Sequence, residues 1–209
     1  LGLLRAAIAV IGFGGGIVNG GTNALVADIS SEEKGANLNL LGVFFGIGAV
    51  GIPVVLAMLG GSFPHATLIS AVGGLVAVPF ILIAMTPFPA PKQSQGFPIA
   101  AAGKLTRDPL LLLMGFMLFL ECGMEITVGG WTSTFVNEEL AVSARMSLII
   151  LSLYWLGMML ARLVLVTLLR NAPPVKTLYF CITTGIAGAL VLLLTRNVAL
   201  AGAGVFLLG

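Results

Sequence analysis

Two glutamates in an otherwise uncharged stretch are the first candidates for chemistry. Glu121 and Glu125 are the only charged residues between Leu110 and Phe135. Their spacing of four places them on one face of a helix. A carboxyl among apolar neighbours can bind and release a proton, and a second carboxyl one turn away tunes that exchange. The pair predicts either a proton relay with Glu125 as proton-binding group and Glu121 as its modulator, or a solute ligand. Two protonated carboxyls bonded to neighbouring backbone are the alternative.

Amide side chains form a second pair with the same spacing. Asn19 and Asn23 are four residues apart, with Thr22 between them, in another uncharged tract. Amides do not titrate but donate and accept hydrogen bonds. The pair is therefore predicted to hydrogen-bond a solute, and the alternative is that it holds neighbouring helices together.

Large side chains supply the remaining candidates. Trp131 follows Glu125 by six residues and is expected either to stack on a sugar ring or to anchor the chain at an interface. Tyr154 and Trp155 carry the same two alternatives. Arg162 is the third charge inside an apolar tract, and a structural or gating role is predicted for it because a long side chain can reach the nearby interface.

Other chemistries find little support. Cys122 and Cys181 both lie in apolar tracts, which favours small hydrophobic roles over a disulfide or a metal site. His65 is the single histidine, and the glycine-rich run at 12–16 lacks the strand that a nucleotide fingerprint needs. The sequence predicts no enzyme, no metal and no cofactor. A net charge of +2 argues against a nucleic-acid partner.

The elements that position these residues follow from composition. Of 209 residues, 58% are hydrophobic and 9% charged, with a mean hydropathy of +1.12. A soluble domain carries roughly a quarter of its residues charged. Uncharged tracts of about 20 residues cross a bilayer as helices. The fold class is therefore all-α integral membrane. The predicted spans are 6–27, 38–59, 67–85, 110–135, 146–169 and 177–194, with part of a seventh from about Val198.

The basic residues predict the orientation. Loops on one side contain Lys34, Lys92, Lys104, Arg107, Arg170 and Lys176, and loops on the other contain Arg5, Arg145 and Arg196. Cytoplasmic loops carry the excess of Lys and Arg, so the richer side is expected to be cytoplasmic. It includes the long linker at 87–109.

Small and polar residues are unevenly distributed among the spans. Glycines recur every four residues at 12, 16 and 20 in the first span and at 42 and 46 in the second, which predicts close helix packing and leaves cavity lining open. Polarity marks the first and fourth spans, whereas the third and sixth are predicted to face lipid. A three-helix period of this kind is typical of three-helix repeats.

Four strings resemble the major facilitator proteins, and within them the fucose/galactose/glucose–proton symporters. The segments GGGIVNGGTNA at 14–24 and LNLLGVFFGIGA at 38–49 are similar to that branch's fourth and fifth helices. FLECGME at 119–125, followed by Gly130 and Trp131, resembles its seventh helix, and YWLGMMLAR at 154–162 its eighth. Ala161 stands where the branch usually has glycine.

The resemblance implies helices four to nine and part of ten of a twelve-helix, two-half transporter. Residues 1–86 would be the last three helices of the N-terminal half, 87–109 the central cytoplasmic loop and 110–209 the first helices of the C-terminal half. Glu125 falls on the family's seventh-helix glutamate. Proton-coupled sugar members often carry an acid at the position of Asn19, and the longer basic motif after the eighth helix is absent around Arg170.

Together these features predict a secondary transporter that takes up a sugar or similar small solute with protons, by alternating access. Its partners would be the solute, protons, the lipid bilayer and the remaining helices of the full-length chain. The expected location is a bacterial inner membrane, as a multi-pass protein. A facilitator-type exporter of drugs or other amphiphiles is the alternative within transport, and a polytopic membrane enzyme or receptor is the alternative outside it.

Overall fold

A computed structural model of the chain describes residues 2–30, 34–88, 103, 107–167 and 172–209, and over these ranges the protein is helical. Within these ranges, seven helices of eleven residues or more follow one another: α1 (Gly2–Ile29), α2 (Lys34–Leu59), α3 (His65–Met85), α4 (Pro109–Glu139), α5 (Ala144–Thr167), α6 (Pro174–Leu194) and α7 (Val198–Leu208). Lys92, Lys104 and Arg170, and most of the 87–109 linker, lie outside the described residues.

The six long helices confirm the six predicted spans. Each is long and apolar enough to cross a membrane, and α7 is a shorter apolar helix. The observed ends lie within four residues of the predicted ones, and the extensions of four are at the starts of α1 and α2 and at the end of α4. Lipid offers no hydrogen-bond partner to open backbone, so apolar tracts of this length form helices.

Local signals explain where two of the helices begin. Pro109 starts α4, and the Asp108 carboxylate accepts a hydrogen bond from the Leu110 N–H at 2.8 Å. The side-chain oxygen of Asn197 caps α7 by accepting hydrogen bonds from the Ala199 and Leu200 N–H groups, at 2.9 and 3.2 Å. Both caps satisfy backbone donors that the first turn of a helix leaves without partners.

Helix α5 is the centre of the packing. It lies against α2, α4 and α7, while α6 packs on α7 and α1 on α2. The buried cluster of Val136, Ile150, Tyr154 and Val205 joins α4, α5 and α7. The residues with candidate chemistry on α4 and α5 therefore lie beside the best-packed part of the described chain.

Outward apolar faces dominate the remaining helices. No residue of α1 is buried, and on α3 the large apolar side chains after Leu68 are exposed, as the predicted lipid-facing role requires. Helix α6 differs from the prediction on one face. There a Cβ at Gly188 would lie 2.7 Å from the Gly204 carbonyl oxygen of α7, so two glycines allow these helices to touch through their backbones.

One exposed ion pair connects two helix ends. Arg196 Nη1 donates to Glu139 Oε2 at 3.0 Å, which joins the end of α4 to the connection before α7. The alternating topology predicted from hydropathy places both segments on the same side of the bilayer, and this contact agrees with that arrangement.

Candidate functional site

Helix α4 carries the two predicted carboxyls near its middle. Glu121 is exposed, and its Oε2 accepts a hydrogen bond from the Cys122 thiol at 3.6 Å, while Glu125 is half-buried. The uncharged surroundings and the spacing of four hold them on neighbouring positions of one face. Of the two, Glu125 is the one turned toward the α4–α5 contact.

Tyr154 is a buried residue of α5 within electrostatic range of the carboxyl-bearing face of α4. Its side chain is only 1% exposed and belongs to the core cluster of α5. Glu121, Glu125 and Arg162 all lie near enough to act on its hydroxyl electrostatically. Among the described residues that hydroxyl has no hydrogen-bond partner. The buried Tyr154 is therefore part of the electrostatic surroundings of the two carboxyls, a role that the sequence does not predict.

The Trp155 ring packs between α4 and α2. A Cβ at Gly129 of α4 would lie 3.0 Å from its Cζ2 atom, and the ring of Phe45 on α2 meets it edge-to-face at a centroid distance of 5.9 Å. The Tyr154 ring makes a further edge contact at 5.0 Å. These contacts assign Trp155 to helix packing, and a side chain at position 129 of α4 would press on its ring.

Arg162 faces α2. Its Nη1 donates to the Gly42 carbonyl oxygen at 3.3 Å, and its guanidinium carbon lies 6.0 Å from the centre of the Phe45 ring. A Cβ at Gly42 would overlap the guanidinium. Arg162 thus contacts a neighbouring helix, because glycine exposes a carbonyl oxygen that a long cation can reach. Its reach to the membrane interface stays a prediction.

The four charged or polar groups at the α4–α5 junction form one electrostatic cluster. Glu125 interacts through space with Glu121 and Arg162, but in the described part of the chain it forms no salt bridge with the arginine. The Trp155–Gly129 contact marks one level along the α4–α5 hairpin. At a rise of 1.5 Å per residue, Arg162 lies about 10 Å and Glu125 about 6 Å from that level, both toward the same end of the hairpin.

The amide pair of α1 stands apart from this cluster. Asn23 Nδ2 donates to both the Oδ1 and the backbone oxygen of Asn19 at 2.8 Å, and the Thr22 hydroxyl donates to the Val18 carbonyl. Both asparagines are exposed, and the extensive packing of α1 in the described chain is with α2. The structure confirms that the amides share a face and does not bring them against α4.

Two further predictions concern exposed residues. Trp131 is 68% exposed, so its ring is available to a solute, a lipid or another helix. The glycine stripe at 12, 16 and 20 has open space where each Cβ would be, whereas Gly42 and Gly46 are in direct contact with α5. Within the described ranges the cysteines are free and no group of three His, Cys, Asp or Glu residues could hold a metal ion.

Comparison with known families decides the class of protein. The family model of the Major Facilitator Superfamily matches residues 1–209. The chain belongs to the Major Facilitator Superfamily. Comparisons with curated proteins and with solved structures gave no match.

Membership in the Major Facilitator Superfamily indicates what the helices do together. Proteins of the Major Facilitator Superfamily are secondary transporters, so this chain is a multi-pass membrane protein of a transport system. Helices that surround a transport path present polar groups to water and apolar groups to lipid. The cluster at the α4–α5 junction is the part of the described superfamily fold where charge, burial and helix contact coincide.

Sequence reasoning missed three residues that contact this cluster. Gly42 contributes a carbonyl oxygen, Phe45 contributes a ring between Arg162 and Trp155, and Gly129 contributes space. Two signals pointed toward them: the glycine spacing of four in α2, and the spacing of seven that places Trp155 and Arg162 on one face of α5. Neither signal names the partner helix, which only the packing reveals.

Proposed function

We propose that this chain is the middle of a proton-coupled transporter that takes up a sugar or similar small solute by alternating access. In this proposal residues 1–86 complete the N-terminal half, 87–109 form the central cytoplasmic loop and 110–209 begin the C-terminal half. The packing of α2 against α5 is then a contact between the halves. Secondary transporters bind their solute near such a junction and rock about it.

The single observation that carries the proposal is the environment of Glu125. This carboxyl is half-buried near the middle of a membrane span, one turn from a second carboxyl, and the Tyr154 phenol and the Arg162 guanidinium lie within electrostatic range of it. A charge inside the membrane is costly and persists where it has a partner or a task. Its position suits a group that loads a proton from one side and releases it to the other.

The solute is assigned to the amides of α1. Because Asn23 Nδ2 is used within the pair, the Asn19 Nδ2 and Asn23 Oδ1 atoms keep a donor and an acceptor without partners in the described chain. One donor and one acceptor a helical turn apart suit neighbouring hydroxyls of a sugar. Trp131, exposed on α4, offers a face for stacking. The proposal requires α1 and α4 to face a common cavity in the full-length protein.

The test is uptake into proteoliposomes that contain the full-length transporter. Labelled galactose, glucose and fucose are offered with and without an inward proton gradient. The proposal expects one of them to accumulate only with the gradient, and Glu125→Gln to abolish accumulation while exchange of labelled for unlabelled sugar continues. Accumulation by Glu125→Gln at the wild-type level would refute the coupling role. Extrusion of an amphiphilic dye without sugar uptake would favour the exporter instead.

A further inference from the structure

Thr132 of α4 is buried, yet its hydroxyl is not used within its own helix. A threonine inside a helix commonly donates to the carbonyl oxygen one turn back. Six helical threonines of the described chain form that bond: Thr22, Thr127, Thr167, Thr177, Thr183 and Thr184. Thr132 is only 5% exposed, and its side chain forms no hydrogen bond with any described residue. Its hydroxyl is therefore available to another partner.

Tyr154 of α5 carries a second hydroxyl of this kind. The residue is 1% exposed, and its phenol oxygen also lacks a hydrogen bond in the part of the chain that the structure describes. A buried hydroxyl that gives up its bonds to water without replacing them destabilises the protein. Two such groups on neighbouring helices therefore call for a common explanation.

Neither hydroxyl oxygen is fully enclosed by protein. Over the described ranges, every fully enclosed side-chain nitrogen or oxygen has a hydrogen bond. Since Thr132 and Tyr154 form none, the small accessible part of each side chain includes its hydroxyl oxygen. Both oxygens therefore border space that admits a water molecule.

The two residues belong to the same packed face of the α4–α5 contact. Thr132 falls between Val128 and Val136, which lie one turn away from it in either direction along α4. Val136 is a member of the buried cluster that contains Tyr154, and Val128 packs against that cluster. The helix face that carries the Thr132 hydroxyl is therefore the face that meets Tyr154.

The two residues also lie at nearly the same level of the hairpin. The Trp155–Gly129 contact provides the reference level. At a rise of 1.5 Å per residue, Thr132 lies about 4.5 Å and Tyr154 about 1.5 Å from it, both toward the predicted outer end of the hairpin. One water that bridges two hydroxyls forms two hydrogen bonds of about 2.8 Å each, which together exceed this difference in level.

We propose that the Thr132 and Tyr154 hydroxyls bind an ordered water molecule between α4 and α5. A buried water forms two to four hydrogen bonds with groups that otherwise have none, and these hydroxyls supply two of them. Because both side chains are almost completely buried, the adjoining space suits a single water rather than a sugar ring.

The position of this water gives it a task in the proposed function. Glu125 is seven residues from Thr132 on the same face of α4, about 10 Å further from the predicted outer end of the helix. About three waters cover that distance at roughly 2.8 Å per hydrogen bond. The bound water is thus a station on the route by which Glu125 receives a proton from outside. This route rests on the proposed function, whereas the water site does not.

Radiolytic labelling tests for the water directly. X-rays convert a bound water into a hydroxyl radical, which oxidises the side chain beside it before it can diffuse away. Full-length protein in lipid nanodiscs and sugar-free buffer is exposed briefly, and the oxidation of Tyr154 is quantified by mass spectrometry. Without sugar in the buffer, a solute hydroxyl cannot take the place of the water.

The expected result is clear oxidation of Tyr154 despite its burial, and a several-fold loss of that oxidation in Thr132→Val. The variant has nearly the shape of threonine but no hydroxyl. Thr132→Ser keeps the hydroxyl and should keep the oxidation. The matched control is Thr127→Val, because the Thr127 hydroxyl is already bonded to the Gly123 carbonyl oxygen. An unoxidised Tyr154 in the parent protein would overturn the inference, as would oxidation that persists unchanged in Thr132→Val.

The thermal midpoint of Tyr154→Phe provides a second readout, which also serves if Thr132→Val fails to fold. A phenol oxygen without a partner destabilises the protein, so its removal would raise the midpoint; a phenol oxygen bonded to water stabilises it, so its removal lowers the midpoint. We expect the fall, and a rise would overturn the inference. Tyr179→Phe on α6 is the control, since Tyr179 is 67% exposed.

Failure of the proposed function is read from a different measurement. If Glu125→Gln still accumulates sugar while the oxidation of Tyr154 depends on Thr132, the water site stands and its task as a proton route falls. If Glu125→Gln stops accumulation while Tyr154 stays unoxidised, the proton site stands and the water site falls.

Discussion

Met159 of α5 fills the space that a side chain on Gly46 of α2 would need. A Cβ at Gly46 would lie 2.7 Å from the Cβ of Met159, nearer than two such atoms approach without a shift. One helical turn away on α2, Gly42 likewise leaves room for the Arg162 side chain, because glycine has no Cβ. The α2–α5 contact thus has two adjacent layers, one apolar and one charged. The apolar layer limits how closely the two helices can approach at this level.

Gly46→Val is therefore expected to separate α2 from α5. Overpacking of a tight contact costs about 1–3 kcal/mol. We expect a lower thermal midpoint in detergent and a large loss of transport, both partly restored by adding Met159→Ala, which removes the opposing side chain. Gly48→Val is the matched control, since nothing lies near position 48.

An equal loss in Gly46→Val and Gly48→Val would contradict this prediction. So would failure of Met159→Ala to restore any stability. Either result would mean that the bulk of the new side chain acts elsewhere than at the α2–α5 contact.

The orientation is tested by labelling from one side of the membrane. A cysteine in place of Lys92 is expected to react with an impermeant thiol reagent only from the cytoplasm, and one in place of His65 only from outside. The reason is the excess of basic residues in the loops on the side of Lys92. The parent protein, whose Cys122 and Cys181 lie within spans, gives the background. The reverse labelling pattern would invert the topology.

The amide pair provides a prediction about affinity. Asn23→Ala removes the acceptor that the proposal gives to the solute and the donor that orients Asn19. Loss of a hydrogen bond worth about 1.4 kcal/mol raises KM about tenfold. We expect that rise with little change in the amount of folded protein. Thr22→Ser, which keeps the hydroxyl that bonds the Val18 carbonyl, is the control. A fall in folded protein at unchanged KM would assign the pair to helix packing.

The fold was largely predictable from the sequence, and the site only in part. Long uncharged tracts leave helix as the only structure that satisfies the backbone in lipid, so the six spans followed from composition. Glu121 and Glu125 share a face because of their spacing. The partners of Arg162 could not be foreseen, because they depend on which helix lies across from α5. Hydropathy carries no information on that choice, since lipid and a neighbouring helix are equally apolar.

The same limit applies to burial within one helix. Tyr154 and Trp131 are both aromatic residues in apolar tracts, yet the first is 1% exposed and the second 68%. Position along the chain does not distinguish them. Contact with α4 and α7 buries Tyr154, whereas in the described chain the face of α4 that carries Trp131 stays open.

Glu121 offers the sharpest test of the electrostatic cluster. Glu121→Gln removes a negative charge one turn from Glu125 while leaving a side chain of nearly the same shape. A like charge nearby opposes ionisation, so its removal lets Glu125 give up its proton more readily. The pH of half-maximal uptake should therefore move to lower values, with accumulation retained. Arg162→Gln should move it the opposite way, because an opposite charge favours ionisation. Initial rates of uptake across a pH series, measured at a fixed proton gradient, give both shifts. Shifts of the same sign in the two variants would show that these residues act on transport through structure rather than through the charge of Glu125.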